Sequence, residues 1–190
     1  MSRQLFFFDQ PRRFVVGTVG QPGERVFYLQ AVDGSRVVSV ALEKSQVTVL
    51  AERMQQLLDE AAKRDGVELP QAVVPDTDPL ENPVDEEFRV AAMGLSYDTD
   101  SGMLLIEAQA PADSPEEAEA SLLEDIEEGP DALRVRLAQQ AALEFIERAR
   151  RVVSAGRPPC PLCNEPLDQA GHVCPRSNGY RRQARLGSGD

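Results

Sequence analysis

Apolar residues near the start of the chain come in short runs that are typical of β-strands. Residues 14–19 and 25–31 are rich in β-branched and aromatic side chains, and they flank the turn sequence Gly-Gln-Pro-Gly at 20–23. This pattern predicts a β-hairpin. A third run at 38–42 alternates apolar residues with small or polar ones, as a strand with one buried face does. The first part of the chain therefore predicts three consecutive strands.

The next segment changes to the period of an amphipathic helix. Apolar residues recur every three or four positions over 46–64, which places them on one helix face. Ser45 is the candidate N-cap, and Gly66 is a residue type at which helices commonly end. Three strands and this helix make a βββα unit, which we assign to about 12–66.

The second half of the chain repeats this order of elements. Strands are predicted over 88–96, 103–110 and 133–137, and a helix is predicted over 138–155. These elements make a second βββα unit over about 86–156.

Several residues recur in the same order in both units, which is harder to obtain by chance than a shared hydrophobic period. They are Phe14-x-Val16-x-x-Val19-Gly20 with Phe88-x-Val90-x-x-Met93-Gly94, Gln30-Ala31 with Gln109-Ala110, Val38, Val40 and Leu42 with Leu133, Val135 and Leu137, and Leu50, Glu52 and Arg53 with Phe145, Glu147 and Arg148. One unit alone has too little apolar surface for a stable core. We therefore predict an α+β fold in which an internally duplicated βββα unit packs about a pseudo-twofold axis and forms a body over 1–156.

Two segments inside this body are strongly acidic, namely a linker at 67–85 and an insertion at 111–129. Residues 68–128 carry 18 acidic side chains against Arg89 alone, a net charge of −17. Runs of like charge are usually solvated surface. We therefore expect both segments to be solvated linkers, with a partner-binding surface as the alternative.

The insertion also carries the start signal of a helix. Ser114 is followed by a proline and then, three positions on, by a glutamate, as in a capping box. Apolar residues at every fourth position through Ile126 make one narrow stripe. We expect a short, weakly docked helix that begins at Pro115 and is stopped by Gly129.

All three cysteines and the single histidine lie within fifteen residues near the C-terminus. Cys160 and Cys163 form a C-x-x-C pair, and His172 and Cys174 follow after eight residues. A Cys3His set is one of the usual tetrahedral ligand sets of zinc. A redox C-x-x-C motif or an iron site is the alternative, although the surrounding prolines exclude the helix that a redox motif opens.

The predicted metal is one structural Zn2+, because protein ligands fill all four positions and leave none for a reactive water. The segment around it has few apolar residues and would need the metal to fold. We assign the zinc knuckle to 157–182 and predict a disordered tail at 183–190.

The C-terminal region is basic, since residues 148–190 carry 8 arginines against 3 acidic side chains. This charge favours an acidic protein partner. A nucleic-acid-binding module, with arginines around a stacking aromatic, is the alternative, and the net charge of −12 disfavours it. The basic tail could also pair with the acidic segments within the molecule or a homodimer. The candidate partner-binding residues are Arg157, Arg176, Tyr180, Arg181 and Arg182.

The sequence offers little for catalysis. Zinc binding would use the only histidine and every cysteine, and the chain has neither a G-x-x-x-x-G-K-[ST] loop nor a G-x-G-x-x-G turn. Carboxylate chemistry is the enzymatic alternative, although no acidic pair is distinguished from the others. We predict a non-enzymatic zinc-binding regulatory or adaptor protein that acts through protein–protein interaction.

The apolar runs and the cysteine count also indicate a compartment. No run approaches the ~20 residues of a membrane span, and Leu5–Phe8 is too short for the core of a signal peptide. An odd number of cysteines fits a reducing compartment better than a disulfide framework. We therefore expect a cytoplasmic protein that does not contact a membrane.

Several stretches resemble one known family across nearly the whole chain. They are R-F-V-V-G-T-V-G at 13–20, V-S-V-A-L-E-K-S-Q-V at 38–47, E-F-R-V at 87–90, L-R-V-R-L at 133–137, and G-R-P-P-C-P-L-C with G-H-V-C-P-R and N-G-Y-R-R over 156–182. The family is an actinobacterial group of conserved proteins classed as a domain of unknown function, some of them described simply as repeat proteins. The resemblance implies a cytoplasmic bacterial protein of about this length and supplies no activity.

Overall fold

The computed structural model of the chain is a mixed α+β protein, as the sequence predicts. It describes residues 3–21, 24–66, 69–70, 73–74, 76–155, 162–163 and 174. In chain order, the elements of these residues are β1 (Leu5–Asp9), β2 (Arg13–Val19), β3 (Val26–Asp33), β4 (Arg36–Leu42), α1 (Lys44–Asp65), β5 (Glu86–Arg89), β6 (Ala92–Asp98), β7 (Met103–Gln109), α2 (Pro115–Ser121), β8 (Ala132–Ala138) and α3 (Gln139–Ser154).

The strands form two four-stranded sheets with the same pairing pattern. Sheet 1 has the order β2-β3-β4-β5, and sheet 2 has the order β6-β7-β8-β1. In each sheet three strands form an antiparallel meander, and a fourth strand joins the last of them in parallel. That fourth strand comes from the other half of the chain, because β1 precedes the meander of sheet 1 and β5 precedes the meander of sheet 2. The two halves therefore exchange their first strands.

The predicted hairpins, third strands and long helices are present in both halves, but the N-terminal cap of α1 differs from the prediction. Glu43, not Ser45, is the N-cap, and its backbone N–H donates to Gln46 Oε1 at 2.7 Å. The Glu43 side chain in turn accepts from the backbone at Gln46. This reciprocal capping box begins the helix earlier and places Ser45 inside its first turn.

The segment 88–96, predicted as one strand, is divided between the two sheets. The Val90 N–H donates to the Ala41 carbonyl of sheet 1 at 2.8 Å, and the Ala91 N–H donates to the Gln109 carbonyl of sheet 2 at 2.8 Å. An apolar run carries no sign of the sheet that its residues join, so the sequence does not reveal this change.

The predicted match of Phe14 with Phe88 is wrong for the same reason. Phe14 lies in the first meander strand of sheet 1, whereas Phe88 lies in β5, the exchanged strand. By hydrogen-bond register, the residue of β6 that corresponds to Phe14 is Met93, because Phe14 pairs with Ala31 and Met93 pairs with Ala108 on the middle strands.

The apolar run Leu5–Phe8 forms β1, a strand that the sequence analysis did not predict. Phe6 and Phe8 point into the core and are 8% and 3% exposed, whereas Leu5 and Phe7 face outward. This alternation is the pattern of an edge strand with one buried face.

Both sheets and the two long helices share one hydrophobic core. Helix α1 contacts α3, and each helix also packs on the edge meander strand of the other half, α3 on β2 and α1 on β6. The rings of Phe14 and Phe145 stack with centroids 4.9 Å apart. Leu50 and Phe145, which the sequence places at matching helix positions, are both 1% exposed.

Part of each acidic segment crosses the outer face of a sheet, and we call these parts strap 1 (76–82) and strap 2 (114–125). Leu80 of strap 1 lies on Gly17, where an added Cβ would approach Leu80 Cγ to 2.6 Å. Leu122 and Leu123 of strap 2 lie on Gly94 in the same manner. The two straps are thus held against the sheets, rather than surrounded by solvent alone.

The helix of strap 2 is shorter than expected. Its predicted cap is confirmed, since the Glu117 N–H donates to Ser114 Oγ at 3.1 Å. However, α2 ends at Ser121, so Ile126 is not part of it and is 42% exposed. Instead of continuing the helix, the next residues bond to arginines of the body, Glu124 through its backbone carbonyl and Asp125 through its side chain.

Candidate functional site

The predicted zinc site falls mostly outside the described residues. Cys163 is described as half-buried and Cys174 as buried, at 5% exposure. In the part of the chain that the structure describes, no group of three or more His, Cys, Asp or Glu side chains could hold a metal ion, and only two of the four predicted ligands belong to that part. The residues outside it are Cys160, His172, Arg157, Arg176, Tyr180, Arg181 and Arg182.

A cluster of arginines holds Asp76 at the junction between α3 and the edge strand β2. Asp76 Oδ2 accepts from Arg13 Nε at 2.6 Å, and Asp76 Oδ1 accepts from Arg148 at 2.7 Å. Arg148 also donates to the Asp76 carbonyl at 2.9 Å and, through Nε, to the Val16 carbonyl at 2.7 Å. Arg151 donates to the same Asp76 carbonyl. Strap 1 is therefore attached to the body through both the carboxylate and the backbone carbonyl of Asp76.

The electrostatics of this cluster keep the carboxylate ionised. The hydrogen bond from Arg13 lowers the pKa of Asp76, and the nearby charge of Arg148 lowers it further. The same hydrogen bond raises the pKa of Arg13. Burial lowers the pKa of Arg148, against the opposing effect of Asp76. Because the guanidinium groups bind backbone carbonyls and one carboxylate, the cluster holds strap 1 against the body.

A second cluster surrounds Glu107 on the middle strand of sheet 2 and holds strap 2. Glu107 is fully buried and accepts from Arg134 and from Arg3, each at 2.6 Å. It also accepts from the Leu123 N–H at 3.3 Å. The two arginines continue to strap 2, where each donates to the Glu124 carbonyl at 2.8 Å.

Arg134 connects this buried carboxylate to a second one at the surface. Burial lowers the pKa of Arg134, but its bonds to Glu107 and Asp125 outweigh that effect, so its pKa is raised. The paired guanidinium groups satisfy a carboxylate that would otherwise be costly to bury. The Glu107 cluster therefore attaches strap 2 to sheet 2.

Sheet 1 carries a neutral side chain at the position that Glu107 has in sheet 2. Ser39 lies four residues before the N-cap of α1 and pairs with Gln30, while Arg134 lies four residues before the N-cap of α3 and pairs with Glu107. The predicted match of Gln30 with Gln109 is thus wrong by two residues, a shift that an alternating pattern tolerates because it preserves the face.

The buried Gln30 holds strap 1 on sheet 1, as Glu107 holds strap 2 on sheet 2. Its Nε2 donates to the Glu81 carbonyl at 2.9 Å, and its Oε1 accepts from the Glu81 N–H at 2.8 Å. In both sheets, buried polar side chains of the middle strand thus hold a strap, Gln30 in sheet 1 and Glu107 with Gln109 in sheet 2. Sequence analysis did not assign this role to Gln30 or Glu107, and the only signal for it was a polar side chain within an apolar strand.

Each edge meander strand meets a helix in a groove, and a space of about 410 Å3 remains beside strap 1 at the α3/β2 junction. Among the described residues, the two grooves differ in whether a strap enters them. At the α3/β2 junction, strap 1 runs between Arg13 and Arg148. At the α1/β6 junction, a groove of about 400 Å3 remains, and we call it the α1/β6 groove. It is lined by Val49, Leu50, Arg53, Gln56, Leu57, Glu60, Met93 and Leu95.

Comparison with protein families identifies the class to which the chain belongs. The model of a family described as "Protein of unknown function (DUF3090)" matches residues 6–174. The chain belongs to this family, and the match includes all four predicted zinc ligands. Searches of the curated proteins and of the solved structures each found no match. Among the described residues, no helix is long and apolar enough to span a membrane.

Proposed function

We propose that this chain is a non-enzymatic, zinc-binding adaptor or regulatory protein of the cytoplasm that acts by binding another protein. It combines a duplicated α+β body with a zinc knuckle over 157–182, in which Cys160, Cys163, His172 and Cys174 hold one structural Zn2+. The open α1/β6 groove is the observation that carries the proposal, because it offers a built recognition surface without reactive groups.

The zinc assignment rests on the ligand set. Every cysteine and the only histidine of the chain fall in a spacing that suits a tetrahedral Cys3His site. The burial of Cys174 is in keeping with a thiolate turned away from solvent. With every position filled by protein, the zinc contributes stability to a segment poor in apolar residues.

Internal duplication is supported by the pairing pattern of the sheets. Each half supplies a meander, a helix directly after it and a first strand that joins the other sheet. A reciprocal exchange of this kind is the arrangement that two copies related by a pseudo-twofold axis produce. Leu50 and Phe145, each seven residues after the N-cap of its helix, occupy equivalent places in the shared core.

Binding suits the described side chains better than catalysis does. Asp76 and Glu107 are consumed by arginines that fasten the straps, so neither carboxylate is available to a substrate. The α1/β6 groove combines an apolar floor with Arg53 and Glu60 at its rim. This composition is typical of a surface that recognises a peptide.

A pair of matched variants tests whether the basic tail serves a protein or a nucleic acid. Arg181→Ala/Arg182→Ala removes two tail charges, and Arg89→Ala/Arg150→Ala removes two half-exposed charges of the body as a control. We expect quantitative capture from native cell extract to identify a protein that the tail variant loses and the control retains. Zinc content and melting temperature should be unchanged in both variants.

Oligonucleotide binding distinguishes a nucleic-acid-binding function from the adaptor function. The purified wild-type chain should show no micromolar binding to single- or double-stranded oligonucleotides at 0.15 M salt, since the acidic body repels polyanions. Tight oligonucleotide binding that weakens steeply with salt and disappears in Arg181→Ala/Arg182→Ala would replace the adaptor function by nucleic-acid binding.

A further inference from the structure

Strap 2 contains a residue in a strained backbone conformation. Leu123 has a φ angle of 64°, which lies in the left-handed region. A side chain with a Cβ crowds the backbone in this region, so a leucine adopts it only where other contacts hold it there. The contacts that surround Leu123 therefore keep strap 2 in a conformation that it would leave if they were removed.

Arg3 supplies several of these contacts. Its guanidinium donates to the Ser121 carbonyl at 3.2 Å and to the Glu124 carbonyl at 2.8 Å, one on each side of Leu123. Its backbone N–H donates to the Glu127 carbonyl at 3.0 Å. A single arginine thus spans the strained residue and holds the backbone on both sides of it.

Glu107 fixes Arg3 and binds strap 2 at the same point. Its Oε1 accepts from Arg3 at 2.6 Å and from the Leu123 N–H at 3.3 Å. The side chains of Arg3 and Glu107 are 1% and 0% exposed. A charge-assisted bond between two buried groups is strong, and removal of one group leaves the other buried with less compensation. We call this pair the Arg3–Glu107 latch.

The arginine of the latch comes from the opposite end of the chain. Arg3 lies just before β1, the strand that sheet 2 receives from the first half, and β1 pairs in parallel with β8 from Leu5 onward. The Gln4 carbonyl accepts from the Ala132 N–H at 2.9 Å. The position of Arg3 is therefore set by strand pairing and does not depend on strap 2.

The closed strap covers the outer face of β6. A Cβ added at Gly94 would approach Leu122 Cγ to 2.8 Å and Leu123 Cγ to 2.9 Å, so the strap lies directly on the strand. Both leucines are half-buried in this position. Opening of strap 2 would expose the two leucines together with the strand surface at Gly94, and this apolar surface exists only in the open state.

Strap 1 differs from strap 2 in this respect. All of its residues are described, and none of them has a positive φ angle. Its carboxylate anchor, Asp76, is bound by Arg13 of β2 and Arg148 of α3, which belong to the body itself. Strap 1 therefore lacks the backbone strain that favours opening.

We propose that strap 2 is a strained segment that the Arg3–Glu107 latch keeps closed, and that it opens as a unit while both sheets remain folded. Opening breaks the bonds of Arg3 to the Ser121 and Glu124 carbonyls and allows Leu123 to leave the left-handed region. This conformational change goes beyond the proposed function, because it takes place in the body and requires neither zinc nor a partner.

Amide hydrogen exchange of the full chain measures this opening. Arg3→Met keeps the length of the side chain but removes its charge and its donors. We expect it to raise the exchange rates of the amides of strap 2 at least about tenfold and to leave those of β3 and β4 in sheet 1 unchanged. Arg53→Met, an equal change at an exposed arginine of α1, should change the exchange of strap 2 by less than about twofold.

A second pair of variants tests the strain and leaves the latch intact. Leu123→Ala and Leu123→Gly both remove the leucine side chain, but only glycine adopts a positive φ angle without a steric penalty. The amides of strap 2 should therefore exchange at least about threefold more slowly in Leu123→Gly than in Leu123→Ala.

Three results would overturn the inference. The first is unchanged exchange of strap 2 in Arg3→Met, which would show that Arg3 does not keep the strap closed. The second is an equal rise in the amides of sheet 1, which would mean that the whole body unfolds. The third is exchange in Leu123→Gly that is as fast as in Leu123→Ala, which would show that Leu123 stores no strain.

Discussion

The α3/β2 and α1/β6 junctions are built from the same elements but differ in what covers them. At the first, strap 1 places Asp76 between Arg13 and Arg148. At the second, Arg53 reaches only along its own helix to Gln56 among the described hydrogen bonds, and a groove remains. Strap 1 therefore covers part of the first junction, and no strap among the described residues enters the second.

The middle strands show a second contrast. Glu107 in sheet 2 is buried with two arginines, whereas the corresponding Gln30 in sheet 1 holds its strap with a neutral amide. Both solutions attach an acidic segment to the outer face of a sheet. The charged one is more sensitive to disruption, because removing one partner leaves buried charge uncompensated.

The largest expected effect is at Glu107. Glu107→Gln removes the buried carboxylate that Arg3 and Arg134 share, leaving Arg134 paired with Asp125, and should lower the free energy of unfolding by about 3–5 kcal/mol. Gln30→Leu removes one neutral side chain and should cost about 1–3 kcal/mol. Urea denaturation of the two variants measures the difference, and equal costs would show that the buried charges are not needed to hold strap 2.

The next largest effects are at matching helix positions in the core. Phe145→Ala and Leu50→Ala each empty a fully buried site and should cost about 3–5 and about 2–5 kcal/mol. Both variants should lose stability in a single cooperative transition, because the two halves share one core. Separate transitions for the two halves, seen by calorimetry, would contradict a core shared between duplicated units.

A smaller effect is expected from Asp76. Its folded-state pKa is lowered, chiefly by the hydrogen bond from Arg13, whereas an unfolded aspartate has a pKa of about 3.9. The stability that Asp76 contributes is therefore complete above the unfolded pKa and is lost as the pH falls through the lowered, folded value. Asp76→Asn should cost about 1.5–3 kcal/mol at pH 7 and progressively less below about pH 4.

Amide hydrogen exchange gives a second measurement of this effect. The protection of the amides of strap 1 should fall over the same acidic pH range in which Asp76 becomes protonated. Thr99→Ala, in the exposed turn between β6 and β7, serves as a control without a carboxylate. A cost of Asp76→Asn that stays constant from pH 7 to pH 2 would mean that the ionised carboxylate does not hold the strap.

The sequence predicted the elements well and their assembly in part. Alternation and period located the meanders and both long helices, because one buried face leaves a clear pattern over seven or more residues. The exchanged strands were missed, since β1 looked like an isolated apolar run and β5 like the start of β6. Strand exchange depends on pairing between distant segments, which no local pattern records.

The residues that attach the straps to the body were harder to predict than the core residues. Asp76 was one acid among many, and its role depends on Arg13 and Arg148, which lie 63 and 72 residues away in the chain. Composition suggested that acidic segments are solvated, and it could not show that arginines of the body receive them. The zinc ligands were the opposite case, because their spacing and scarcity are visible without any structure.

Zinc stoichiometry of the purified chain tests the proposed function most directly. Under reducing, metal-replete conditions, elemental analysis should find about one zinc per chain in the wild type and in the neighbouring control Leu162→Ala. Cys163→Ser should lose the metal and expose the segment after residue 156 to protease, while the body stays folded. A stoichiometry well below one in the wild type, or full retention of zinc by Cys163→Ser, would contradict the zinc-binding adaptor.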